Sequence, residues 1–150
     1  MTDIFMVVEP GSVSVRPSGP ATANVWLSLA GCEFPMRGWN DFAVVILGWW
    51  ATALLRLLRN VSTRETVNFM DGPYSVEVSR TPSGMLHLRA LEGSTRNREM
   101  ATGEVEANPF VLGLISQSRG VLDACRRQGW WSNDAQTLES ALAALEQESS

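Results

Sequence analysis

Apolar and polar residues alternate in short runs at the start of this chain, then give way to one long apolar run. Ile4–Val8 reads as a short strand closed by Pro10-Gly11. Val13 and Val15 alternate with Ser12, Ser14 and Arg16, which predicts a second, half-buried strand. The two prolines in Arg16–Ala21 mark a turn. Asn24–Phe34 predicts a third strand, with Val25, Leu27 and Leu29 on one face and Trp26, Ser28 and Ala30 on the other.

From Phe42 to Leu55 there is no charge, and Trp39, Trp49 and Trp50 cluster at this run. Asn40 or Asp41 is placed to cap a helix here, and Arg56 and Arg59 suit its C-terminal dipole. The run falls short of the ~20 residues that span a bilayer, so a buried core helix is expected, covered on more than one side. Gly48 costs about 1 kcal/mol relative to alanine and is expected to admit a neighbouring element.

A meander follows. Thr66–Met70, Tyr74–Arg80 and Met85–Leu91 predict strands, separated by Asp71-Gly72-Pro73 and by Thr81-Pro82-Ser83-Gly84. Glu92 to Gly103 is polar, with Gly93, Ser94, Arg96, Asn97, Arg98 and Glu99, and reads as a long loop before a short strand at Glu104–Ala107. Asn108-Pro109 opens a helix that Arg126, Arg127 and Gly129 close. Trp130-Trp131 reads as a connector. Asn133 and Gln136 resemble a capping box for a last helix, whose apolar stripe is Leu138, Ala141, Leu142 and Leu145. The expected class is α+β in one domain: an antiparallel meander packed against a long buried helix and two C-terminal helices.

Composition narrows the function. An apolar fraction of 45% and a charged fraction of 19% fit a globular chain. The net charge of −4 disfavours a nucleic-acid binder and favours a basic partner. Every basic residue is arginine, so no Schiff-base lysine, P-loop lysine or lysine general base exists. Cys32, Cys125 and the single His87 cannot by themselves supply four zinc ligands. Met1-Thr2-Asp3 offers no basic n-region, so two reduced thiols in a cytoplasmic protein are expected, unless the two cysteines meet.

No catalytic motif emerges, and no cofactor or metal is expected. His87 reads as a surface histidine on a strand, with a general base as the alternative. Asp71 reads as a turn residue, with a catalytic acid as the alternative. Glu92, Glu99, Glu104 and Glu106, interrupted by Arg96 and Arg98, form either a solvated edge or an acidic surface for a basic protein site. Trp130 and Trp131 serve either as core or as binding anchors.

Trp39-Asn40-Asp41-Phe42, Leu47-Gly48-Trp49-Trp50 and Phe69-Met70-Asp71-Gly72-Pro73-Tyr74 resemble the small immunity proteins of bacterial polymorphic toxin systems. That resemblance covers roughly residues 25–90 and implies a non-enzymatic α+β protein that neutralises a cognate toxin by tight binding. It carries over no catalytic residue. The expected contact residues are Glu92, Glu99, Glu104 and Glu106, then Asp71, Glu77, Trp130 and Trp131, facing a toxin with a basic active-site cleft. A small-ligand-binding or enzymatic domain and an oligomerising adaptor are the competing readings.

Overall fold

The computed structural model describes residues 3–93 and 97–149. In chain order the elements are β1 (Ile4–Ser14), β2 (Thr22–Leu29), β3 (Cys32–Phe34), β4 (Asn40–Asp41), α1 (Ala43–Leu58), β5 (Arg64–Asn68), β6 (Tyr74–Arg80), β7 (Met85–Glu92), β8 (Arg98–Glu106), α2 (Ala107–Arg127) and α3 (Asn133–Ser149). The α+β class holds, and the strands divide between two antiparallel four-stranded sheets. The first has β1 and β3 on either side of β2, with β4 also on β2; the second runs β5-β6-β7-β8. One continuous apolar core joins both sheets and all three helices.

Several local expectations give way to longer-range geometry. The two predicted N-terminal strands are one, β1, with a register shift between Glu9 and Ser14. Pro10 is tolerated because β1 is an edge strand, where a missing N–H breaks no ladder bond. Helix α2 covers that edge. Gln117 Oε1 accepts from the Val8 N–H at 3.0 Å, and Gln128 Nε2 donates to the Val13 carbonyl at 2.8 Å. The third predicted strand folds back on itself at Ala30-Gly31, where both residues have positive φ. That is the backbone of a two-residue hairpin turn.

Helix α1 is buried along most of its circumference, with Ile46, Leu47, Trp50, Leu54 and Leu57 fully inside. Its solvent seam carries Trp49, Thr52 and Arg56. A Cβ on Gly48 would meet nothing within 4 Å, so this glycine admits no close neighbour. Arg80 of β6 closes the helix, its Nη1 donating to the Leu57 carbonyl at 3.2 Å and to Asn60 Oδ1 at 2.9 Å. Leu138, Leu142 and Leu145 of α3 are buried, and α3 lies against α1. Ion pairs Arg59–Glu148, Arg119–Glu146 and Arg126–Glu139 tie α3 to α1 and α2. The cap of α3 is Ser132, whose Oγ accepts from the Ala135 N–H. Among the described residues no helix is long and apolar enough to cross a membrane.

Asp41 does not cap α1 in the expected way, because the helix has no side-chain cap bond. Its Oδ1 accepts from the adjacent Phe42 N–H at 2.8 Å. Its Oδ2 accepts from Trp39 Nε1 at 3.0 Å and from the N–H groups of Met70 and Asp71 at 3.1 and 3.2 Å. The side chain is buried, so its charge is stabilised by these donors. Around it Trp39 meets Tyr74 and Phe69 edge-on, and both of those rings meet Phe34 edge-on. Gly72 turns beneath this cluster with φ +74; a Cβ there would lie 2.7 Å from the Tyr74 ring.

The sheets approach each other at Gly103 of β8. A Cβ there would lie 2.9 Å from Ile4 Cδ1 and 3.3 Å from Leu29 Cδ1, the pair that faces across β1 and β2. Replacing Asp41 with alanine leaves four partly buried donors without their acceptor. The expected loss is about 3 kcal/mol in urea unfolding; a loss below about 1 kcal/mol would remove Asp41 from its place as a structural node.

Candidate partner-binding face

The predicted loop from Glu92 to Gly103 is mostly strand. β7 extends to Glu92 and β8 begins at Arg98, so only residues 93–97 connect them. Of these, Ser94, Thr95 and Arg96 lie outside the described residues. The sequence is polar there because β8 shows one face to solvent. Ala101, Gly103 and Val105 take the less exposed positions; Thr102, Glu104 and Glu106 alternate with them and are exposed. A register shift between Ala90 and Leu91 accommodates the extra residue at Met100.

This register brings four of the predicted contact residues, Glu77, Glu99, Glu104 and Glu106, onto one face of the second sheet, while Glu92 stands opposite Tyr74 in phase with the core-facing positions. Glu77 of β6 stands opposite Arg89 of β7. Arg89 Nη1 donates to Glu77 Oε1 at 3.1 Å, and its Nε donates to Glu99 Oε1 at 2.8 Å. Arg64 of β5 lies 3.7 Å from the same Glu77 oxygen. A row of alternating charge thus crosses all four strands. Glu99 first and Glu77 second raise the Arg89 pKa further. Beside this row, Arg98 pairs with Glu92 at 2.8 Å. The three arginines and three glutamates cancel, so these carboxylates add little net field.

Glu104 and Glu106 differ. Both are exposed, and neither has an ion-pair partner among the described residues. Glu104 stands opposite His87 in the ladder. His87 Nε2 lies 3.0 Å from Thr102 Oγ1, which donates its one hydrogen to the Leu88 carbonyl at 3.1 Å. With the Thr102 hydrogen on the Leu88 carbonyl, the tautomer of the neutral ring that completes the contact is the one that donates from Nε2. Neither cysteine joins this face as a nucleophile. Cys125 is buried, and burial pushes its thiol pKa up; it and Cys32 are both free thiols.

The remaining predicted residues are dispersed. Asp71 is exposed at the Gly72 turn, its own N–H held by Asp41. Trp130 is buried at 9% exposure and donates from Nε1 to the Gly19 carbonyl at 3.1 Å, so it packs the interior. Trp131 is 37% exposed, with the Arg126 guanidinium 4.0 Å from its ring centroid. Strand alternation alone points Glu77 and Arg89 outward as a cross-strand pair; Arg64 and Glu99 join them only through strand register. Among the described residues no three His, Cys, Asp or Glu side chains converge as a metal site would need.

The Thr102 geometry makes a spectroscopic prediction. Long-range proton–nitrogen NMR of the neutral His87 ring is expected to show the proton on Nε2, and Thr102→Val is expected to remove that preference. A proton on Nδ1 in the wild-type chain would overturn the assignment.

No family model matches this chain, and no curated protein matches it. A chain in the crystal structures of Trypanosoma bruciei MRP1/MRP2 is similar at a TM-score of 0.32 and 13% identity, over 86% of this chain and 87% of that one. A likeness at that TM-score carries no argument about function.

Proposed function

We propose that this chain is a cytoplasmic immunity protein that binds a cognate bacterial toxin stoichiometrically and blocks it, acting by binding and not by catalysis. The observation that carries the reading is the unbalanced charge of Glu104 and Glu106, exposed on a sheet face whose other carboxylates are already matched by arginines. A rigid face with surplus negative charge suits a basic active-site cleft, where charge complementarity raises the association rate and excludes wrong partners.

The resemblance to immunity proteins adds support of a second kind. Two of the strings that carry it, Trp39–Phe42 and Phe69–Tyr74, meet around the buried Asp41 carboxylate. They belong to the scaffold that holds β5 and β6 and so set the position of the sheet.

Co-purification from the native host, with the captured protein identified by mass, is expected to yield one near-stoichiometric toxin-domain partner. Reversing both charges with Glu104→Arg and Glu106→Arg is expected to slow association and weaken capture roughly tenfold or more at low salt. Unchanged capture by the double variant would remove the acidic face from the contact. The absence of any partner, in cells that make the neighbouring gene product, would remove the inhibitor reading itself.

A further inference from the structure

A second site lies away from the acidic residues, between the β1–β2 loop and the α2–α3 connector. Two hydrogen bonds join these segments: Gln128 Nε2 to the Val13 carbonyl, and Trp130 Nε1 to the Gly19 carbonyl. Between them is an open hollow of about 600 Å³, lined by Val15, Arg16, Pro17, Gly19, Trp131 and neighbours. A second hollow of about 430 Å³ shares Arg16 and Gly19 and reaches Phe42. Both volumes fall in the range of small-molecule sites.

Two side chains give the hollow its chemistry. Arg16 is exposed and has neither an ion pair nor a hydrogen bond among the described residues. Nearly every other described arginine is engaged: eight hold glutamates and Arg80 holds helix carbonyls. Trp131 supplies a flat apolar surface that is fixed in place. Arg126 lies over its ring at 4.0 Å and is itself held by Glu139 at 2.6 Å. An indole clamped on one side loses little freedom when a second planar group stacks on it. A guanidinium beside it matches a carboxylate or phosphate in two-point geometry.

We propose that this hollow binds a small organic anion with a flat unsaturated body, the anionic group on Arg16 and the ring on Trp131. The site stands independently of the toxin-binding reading. It places ligand recognition at the helix connector and not around His87.

The test is NMR titration of the full chain, following the Trp130 indole N–H and the backbone amides of Gly19 and Gly129 at the hollow, with two probes. Adenosine monophosphate carries the anion as phosphate; naphthoate carries it as carboxylate. Saturable binding of either is expected, with the responding probe identifying the anion. Arg16→Gln is expected to weaken it about tenfold, the worth of one charge-assisted hydrogen bond. Trp131→Ala, at an exposed position, is expected to abolish the discrimination between adenosine monophosphate and inorganic phosphate, or between naphthoate and acetate. The proposal is overturned if neither probe saturates, if Arg16→Gln binds like the wild type, or if phosphate or acetate alone binds as well as the ring-bearing probe.

Discussion

The fold hangs on a buried carboxylate. Asp41 gathers donors from its own neighbour, from the Trp39 indole and from the backbone of Met70 and Asp71. It therefore fixes three things together: the end of the first sheet, the entry of α1 and the turn between β5 and β6. A charged acceptor inside an apolar cluster tolerates few arrangements, because every lost donor leaves part of the charge unsolvated. The surrounding Phe34, Trp39, Phe69 and Tyr74 rings exclude water from it and make the arrangement specific. The acidic face of β5–β8 inherits its position from that node.

The alternation of side chains revealed the strands and the apolar stripes revealed the helices, because both are local properties of the chain. What stayed hidden depended on partners distant in sequence. Asp41 sits where a helix cap belongs, and its partners at Met70 and Asp71 lie a whole helix away. The Ala30-Gly31 turn lacks the Asn-Gly or Asp-Gly signal that such hairpins usually carry, so β2 and β3 read as one strand. The polar stretch after Glu92 reads as loop because half of a surface strand's residues are polar; alternation pairs Glu77 with Arg89, but Arg64 and Glu99 join them only once register is known. Of the candidate contact residues, Glu77, Glu92, Glu99, Glu104 and Glu106 come together on β6–β8. Trp130 does not, since its indole is spent on an internal bond. The Arg16 hollow was invisible because its walls come from opposite ends of the sequence.

Charge is sorted accordingly. Eight described arginines serve as counter-ions to glutamates, stapling helices to one another and strands across the second sheet. Exposed pairs of this sort contribute little to stability singly. Their effect is to cancel field where the surface is not for recognition. Glu104 and Glu106 on one side and Arg16 on the other are among the exposed charges left unmatched.

The covering of β1 by α2 carries a consequence for how the chain is made. The glutamines that complete the edge of the first strand are 109 and 115 positions further along the sequence. During synthesis the N-terminal hairpin emerges long before its cover exists, with an unsatisfied strand edge open to any neighbouring chain. Assembly of the first sheet is thus finished last, when α2 leaves the ribosome, although its strands are made first.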